Sequence, residues 1–266
     1  MPTHNATLAG VSVLITRPGD AGQELADRIR DLGGQPIIIP VIDIVYLAES
    51  DAMTSAVKAM DRTDLAVFVS RHAAISYVKT LESLDLKIPV TLKIAAIGQS
   101  TAKILQTAGI AADFVPDNES NSESLLALLN PILKTGDRVQ LFRGQSGREL
   151  LATEIIQHGA LLAQIEAYHR IPSSRNFEPE ISRVLAAKKL VTVITSGEIL
   201  TRLRALFAEN TGIQLQSSPL VVLSKRISEI ASANDFTGPI TVAGEASNAG
   251  LTAAVLEATG RNIYST

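Results

Sequence analysis

The sequence predicts an α/β protein made of two similar parallel-sheet lobes that descend from an internal duplication. Three observations carry that expectation: the chain repeats itself at one offset, its strands are continuous apolar runs, and those runs alternate with amphipathic helices. Arg17 and Gly33 recur as Arg143 and Gly159, 126 residues later. The same offset pairs Asp20-Ala21-Gly22-Gln23 with Ser146-Gly147-Arg148-Glu149 and Val67-Phe68-Val69-Ser70 with Val193-Ile194-Thr195-Ser196. It also pairs Ile94-Ala95-Ala96-Ile97 with Leu220-Val221-Val222-Leu223, and Leu125 with Leu251. A period of this length exceeds the roughly 20 to 50 residues of a solenoid unit and describes a duplicated half-protein. Two similar lobes facing each other make a cleft, the usual seat of a small ligand.

The elements follow in order. Residues 11–16 form a short apolar strand, after which Asp20 caps a helix with Leu25, Ile29 and Leu32 at helical spacing, stopped by Gly33-Gly34. Residues 36–45 are one long β-branched stretch, followed by a helix over 52–60 and a strand over 65–69. A helix over 72–83, a strand over 93–97, a helix over 99–108 and a strand over 112–115 come next. Ser120-Asn121-Ser122-Glu123 reads as a capping box opening a helix through Leu133, and Ser146 to Glu149 as a second one. The order then replays from Arg138. Continuous hydrophobic strands between helices imply parallel sheets covered on both faces.

Composition narrows the function. The chain has 266 residues, 46% hydrophobic and 19% charged, as in an ordinary globular protein. No run approaches the roughly 18 apolar residues of a membrane span, and the start lacks the basic and apolar regions of a secretory signal. With no cysteine there is no disulfide, thiolate nucleophile or zinc-thiolate site, and a cytoplasmic location is expected. The net charge of -3, dispersed arginines and lysines and the absence of tryptophan argue against nucleic acid as a partner. The glycine patterns of dinucleotide sites, P-loops and nucleophile elbows are missing. His4, His72, His158 and His169 form no metal motif, so neither cofactor nor metal is expected.

Open parallel sheets bind ligands beyond the carboxyl ends of their strands. The turns there are Thr16-Arg17-Pro18, Ser70-Arg71, Gly98-Gln99-Ser100-Thr101, Arg143-Gly144-Gln145-Ser146, Ser196-Gly197 and Ser224-Lys225-Arg226. Each combines hydroxyls, glycines or cations with a helix start, where unpaired amides and the dipole favour anions. Serine and threonine there also serve as ordinary helix caps. Six such turns on one rim suit a ligand with many carboxylates or phosphates.

These same residues carry a family resemblance. Leu14-Ile15-Thr16-Arg17-Pro18, Leu32-Gly33-Gly34, Pro36 to Pro40, Phe68-Val69-Ser70 and Ala96-Ile97-Gly98-Gln99-Ser100-Thr101-Ala102 resemble uroporphyrinogen-III synthases. Arg143-Gly144, Gly147-Arg148, Gly159-Ala160, Ala167-Tyr168-His169-Arg170 and Thr195-Ser196-Gly197 extend the likeness over residues 11–258.

The resemblance implies a cofactor-independent lyase that closes hydroxymethylbilane into uroporphyrinogen III, with inversion of ring D and loss of water. It implies doubly wound lobes that are not the sequence halves: 1–38 with 172–266, and 48–165, joined by a two-stranded hinge at 39–47 and 164–171. Tyr168, replacing Ile42 of the first repeat, matches the family's tyrosine and is the expected proton donor. Ser70, Thr101 and Ser196 are the expected contacts to substrate carboxylates, with Gly98, Arg17, Arg71 and Arg143 as further binding residues. Where the family often has a second Gly-x-x-Thr turn, this chain has Ser224-Lys225-Arg226-Ile227, which makes Lys225 a candidate replacement. The expected partner is a linear tetrapyrrole with eight carboxylates, met by a monomer that contacts hydroxymethylbilane synthase transiently. The alternative is a two-lobed binding protein that closes on an anionic metabolite without chemistry.

Overall fold

The computed structural model describes residues 7–117, 119–145, 147–208 and 213–261. Strands and helices alternate along them. The first part holds β1 Ser12–Ile15, α1 Asp20–Asp31, β2 Gln35–Ile38, β3 Ile42–Tyr46, α2 Asp51–Lys58, β4 Leu65–Phe68, α3 Arg71–Leu84, β5 Lys93–Ala96, α4 Gln99–Thr107 and α5 Ser122–Leu129. The second holds β6 Arg138–Gly144, α6 Leu150–Gln157, β7 Leu161–Pro172, α7 Glu178–Leu185, β8 Leu190–Ile194, α8 Gly197–Phe207, α9 Ile213–Ser217, β9 Leu220–Val222, α10 Lys225–Ser232, β10 Ile240–Val242 and α11 Asn248–Ala258.

Contacts divide the chain into two compact units. The first comprises Met1–Asp43 and Ile171–Thr266, the second Ile44–Arg170. One sheet runs β10-β9-β8-β1-β2 and the other β3-β7-β6-β4-β5. The pairs β1 with β2 and β8, and β4 with β5 and β6, are parallel. Only the β3 edge runs the other way among the described strands: Leu47 N–H donates to the Ala167 carbonyl, and Ser173 N–H to that of Val41. Elements recur at the repeat offset, β1 meeting β6, β4 meeting β8 and α5 meeting α11. Each sheet therefore mixes the two repeats, β1 and β2 lying beside β8 and β9, and β6 and β7 beside β4 and β5.

β4 and β8 are buried along their whole length, as strands covered on both faces must be. Against one face of the second sheet lies an aromatic core, in which Phe68 stacks on Phe142 at 4.9 Å and meets Tyr77 edge-on at 5.0 Å. Burial pushes the Tyr77 phenol well above its usual range, and its hydroxyl points to Met60 Sδ at 3.9 Å. The cluster around β1, α1 and α11 is aliphatic, with Val13, Ile15, Leu25, Ile29, Val193 and Leu251 at its centre.

Several local expectations are corrected. The apolar run 36–45 is two strands, β2 and β3, in different sheets, because the chain leaves one ladder at Ile39-Pro40-Val41, and proline cannot donate to a ladder. Gly19, at φ 63°, is the N-cap of α1, and Asp20 is its first helical residue. Asn121 rather than Ser120 caps α5, its Oδ1 accepting from Ser124 N at 2.7 Å, and the Glu123 carboxylate turns to Arg148 instead of closing a box. The expected strand over 112–115 is a single bridge, Ala95 to Phe114. The second capping box includes Ser146, which lies outside the described residues; α6 starts four residues later, with Glu149 as its N-cap.

Candidate active site

In the unit Ile44–Arg170, three parallel strands end on one rim. After β4, Ser70 caps α3, its Oγ accepting from Ala73 N at 3.1 Å. A hydroxyl that accepts in the cap still has its own proton to give to a ligand. Arg71 and His72 fill the start of α3, which has no acidic residue in its first turn. Cations there add to the positive end of the helix dipole, an arrangement that an anion relieves. Arg71 Nε is buried and has no hydrogen-bond partner among the described residues.

After β5, Gly98 is the N-cap of α4 and offers no side-chain cap. A Cβ there would come within 1.9 Å of Ser120 Oγ, so the close approach of Ser120 requires glycine. The first amides of α4 are left for another acceptor. Thr101, 1% exposed, lies in that first turn.

The end of β6 meets β7 across an irregular step. Phe142 pairs with Ile165 and Arg143 with Glu166, but Gly144 pairs with Tyr168, skipping Ala167. The extra residue is a β-bulge, which reverses the facing of the residues beyond it. Without it Tyr168 would share a face with Glu166; with it the ring joins the aromatic side of the sheet, 4% exposed. Gly144 makes the space, because a Cβ there would stand 2.8 Å from Tyr168 Cζ and 3.0 Å from its hydroxyl oxygen. The ring packs on His72 at 5.2 Å, and the Arg170 guanidinium lies 5.8 Å from its centre. Among the described residues the Tyr168 hydroxyl has no hydrogen-bond partner. Arg143 is committed within the protein: buried, it donates to Gln164 at 2.7 Å and pairs with Glu149 at 2.8 Å.

The other unit repeats the rim with different chemistry. Thr16 donates to the Val193 carbonyl at 2.7 Å, and Arg17 donates to Asn248 Oδ1. Asn248 in turn donates to the Ala21 carbonyl at 3.1 Å, tying the turn after β1 and the start of α1 to α11. Ser196 caps α8 through Ile199 N at 3.2 Å, as Ser70 does α3. Ser224 caps α10 through Ile227 N at 3.4 Å, and Lys225 and Arg226 stand exposed in a first turn without acids.

The expected residues therefore divide. Ser70, Arg71, Gly98, Thr101, Arg143 and Tyr168 are set on the unit Ile44–Arg170, and Arg17, Ser196 and Lys225 on the other. The six turns belong to two sheets, three to each. His72, Tyr46 and the bulge are not singled out by the sequence. His72 is within reach of it, since it follows the Ser70-Arg71 turn, whereas Tyr46 and the bulge leave no local signal.

Two concavities lie at the opposite, amino ends of the sheets. One, about 630 Å³, is lined by Arg62, Arg138 and Gln140; the other, about 380 Å³, by Lys188, Lys189 and Arg261. Neither contains a helix N-terminus facing a strand end, so the rims remain the better sites. Among the described residues no helix is long and apolar enough to cross a membrane.

Fold and rim define the class: an α/β protein of parallel sheets with anion-suited turns at the strand ends. Residues 23–253 match the family model described as uroporphyrinogen-III synthase HemD. The uroporphyrinogen-III synthase of Escherichia coli K12 is 31% identical over 222 residues, covering 83% of this chain and 90% of that protein. That of Proteus mirabilis is 35% identical over 161 residues, 60% of this chain and 81% of that protein. The chain belongs to the uroporphyrinogen-III synthase family. Its fold is shared with uroporphyrinogen III synthase structures from Thermus thermophilus and Helicobacter pylori, each with a TM-score of 0.59. Those are 17% and 15% identical, and each comparison covers 94% of this chain and 99% of the other.

Proposed function

We propose that this chain cyclises hydroxymethylbilane to uroporphyrinogen III with loss of water, using its own side chains alone. The observation that carries the reading is Tyr168: a phenol, set by a bulge opposite Gly144, packed against the start of α3 with its Arg71 and His72. A phenolic hydroxyl has a proton to give. It donates to the departing hydroxyl as the carbon–oxygen bond breaks, leaving water and an azafulvene cation, which ring D attacks to form the spiro intermediate. Since water is the only by-product, the proton returns to the phenolate when the closing pyrrole regains its aromaticity.

The remaining residues hold the substrate. On the unit Ile44–Arg170, Ser70 and Thr101 offer hydroxyl protons, the start of α4 its free amides and Arg71 positive charge to carboxylates; on the other unit, Ser196 and Lys225 offer a hydroxyl and a positive charge. Arg17 and Arg143, bonded to Asn248 and to Gln164 and Glu149, support the strand ends. Holding the chain in the spiro-forming geometry supplies the rest of the acceleration. Location in the cytoplasm, action as a monomer and transient receipt of substrate from hydroxymethylbilane synthase belong to the same reading.

The test supplies hydroxymethylbilane formed in place from porphobilinogen, then oxidises the products and separates porphyrin isomers I and III. Isomer III rising with protein concentration is expected over the spontaneous isomer I. Saturable binding with isomer I alone would make the chain a binding protein.

A further inference from the structure

Tyr168 is held by groups that the reaction scheme above does not use. Its ring lies against the imidazole of His72, with centroids 5.2 Å apart at 54°. His72 Nδ1 is in turn 3.1 Å from the Tyr46 hydroxyl, within hydrogen-bonding distance. The Tyr46 ring is itself pinned, with Lys79 Nζ 4.6 Å from its centre. Tyr46 closes β3, and the next residue, Leu47, donates its N–H to the carbonyl of Ala167, the extra residue of the bulge, at 2.9 Å. One edge strand thus braces the bulge through its backbone and the neighbouring imidazole through a side chain.

Two of these contacts are polar and placed at the rim, where an aliphatic side chain would fill the same space with less cost in desolvation. An imidazole held by one ring nitrogen has a fixed plane. A fixed plane on one side and the bare backbone of Gly144 on the other leave the phenol little freedom to turn. Proton transfer demands that restriction, because a misplacement of the order of 1 Å costs roughly a hundredfold in rate.

We infer that His72, oriented by Tyr46, is a positioning residue that aims the Tyr168 hydroxyl at the leaving group. The inference rests on the reading of Tyr168 as proton donor. His72→Phe keeps a ring against Tyr168 and removes the hydrogen bond; Tyr46→Phe removes the same bond from the other side at nearly constant volume. Each is expected to lower kcat for isomer III roughly tenfold, within the range of a mispositioned general acid, with KM little changed. In a Tyr168→Phe background neither should cause further loss, since a residue that acts through the phenol has nothing left to aim.

Thermal unfolding of each variant confirms that the protein measured is folded. Tyr168→Phe slow, with both His72→Phe and Tyr46→Phe at the wild-type rate, overturns the inference and leaves the proton donor in place. Losses that multiply in the Tyr168→Phe background also overturn it, by showing that His72 acts on another group. Tyr168→Phe at the wild-type rate overturns the reading of the phenol itself, and the inference with it.

Discussion

The two units share a plan and differ in the side chains they place at matching strand ends. Ser70 and Ser196 cap α3 and α8 in nearly the same backbone conformation. Beyond them the rims diverge. Arg71 and His72 correspond to Gly197 and Glu198, and Glu198 is spent on an ion pair with Arg202 at 3.1 Å. Gly98 leaves the start of α4 uncapped, whereas Ser224 closes that of α10 and is followed by Lys225 and Arg226. Tyr168 corresponds to Ile42, and Gly144, which admits the phenol, to Pro18. One rim has a buried phenol packed on an imidazole, the other exposed charge. Two sheets of like plan can keep the same serine caps while differing in the side chains beside them.

The comparison can be broken first at the cores. Phe68 and Ile194 occupy equivalent, fully buried places at strand ends. Phe68→Ala is expected to cost about 3–5 kcal/mol and Ile194→Ala about 2–5 kcal/mol in urea unfolding. Phe68 should exceed Ile194 by about 1 kcal/mol, because it also loses its stacking on Phe142 and its edge-on contact with Tyr77. Equal losses would show that the aromatic geometry adds nothing beyond area.

At the bulge, Gly144→Ala brings a methyl group against the phenol and should cost about 1–3 kcal/mol of stability as an overpacked site. It should also slow isomer III formation severalfold. In Tyr168→Phe protein the stability loss should persist while the rate loss disappears; persistence of both would detach Gly144 from the aim of the phenol.

The caps sharpen the shared role. Ser70→Ala and Ser196→Ala should each lower stability by about 1 kcal/mol, the usual worth of such a cap. If both hydroxyls also meet carboxylates, KM rises in both. A rise in only one would assign substrate to a single rim.

The smallest effect expected is at Glu123, whose carboxyl is held below its ordinary range mainly by the hydrogen bond from Arg148. A lowered value in the folded state means that the pair stabilises above the usual carboxylate pKa, about 4.3, and that the gain is lost as pH falls through the folded value. Glu123→Gln should therefore lower Tm slightly near neutral pH, and the gap should close in acid. A gap independent of pH would make the contact one of packing.

How much is legible in the sequence depends on the range of each signal. Strand ends and the Ser70 and Ser196 turns are local patterns, and they stand where apolar periodicity places them. Local reading errs where two signals compete: Asp20 has the better capping side chain, yet only a residue tolerant of positive φ fits that cap, and Gly19 takes it. It errs again at Ser120, because the neighbouring Asn121 reaches the free amide of Ser124 and Ser120 is taken up against Gly98. His72 looks like one more helix-end histidine, since its importance lies in two rings from distant parts of the chain.

By itself, then, the sequence determined the α/β class, the repeat, the family and the strand-end turns, because burial and capping are written residue by residue. Tertiary structure decided which strands pair within each sheet, and that the apolar run 36–45 would split into β2 and β3 at Pro40. It also decided that one skipped residue, Ala167, would turn Tyr168 to the face where Gly144 makes space and His72 waits. Strand partners and register are settled by pairing across long loops, and a one-residue slip reverses the facing of every side chain beyond it.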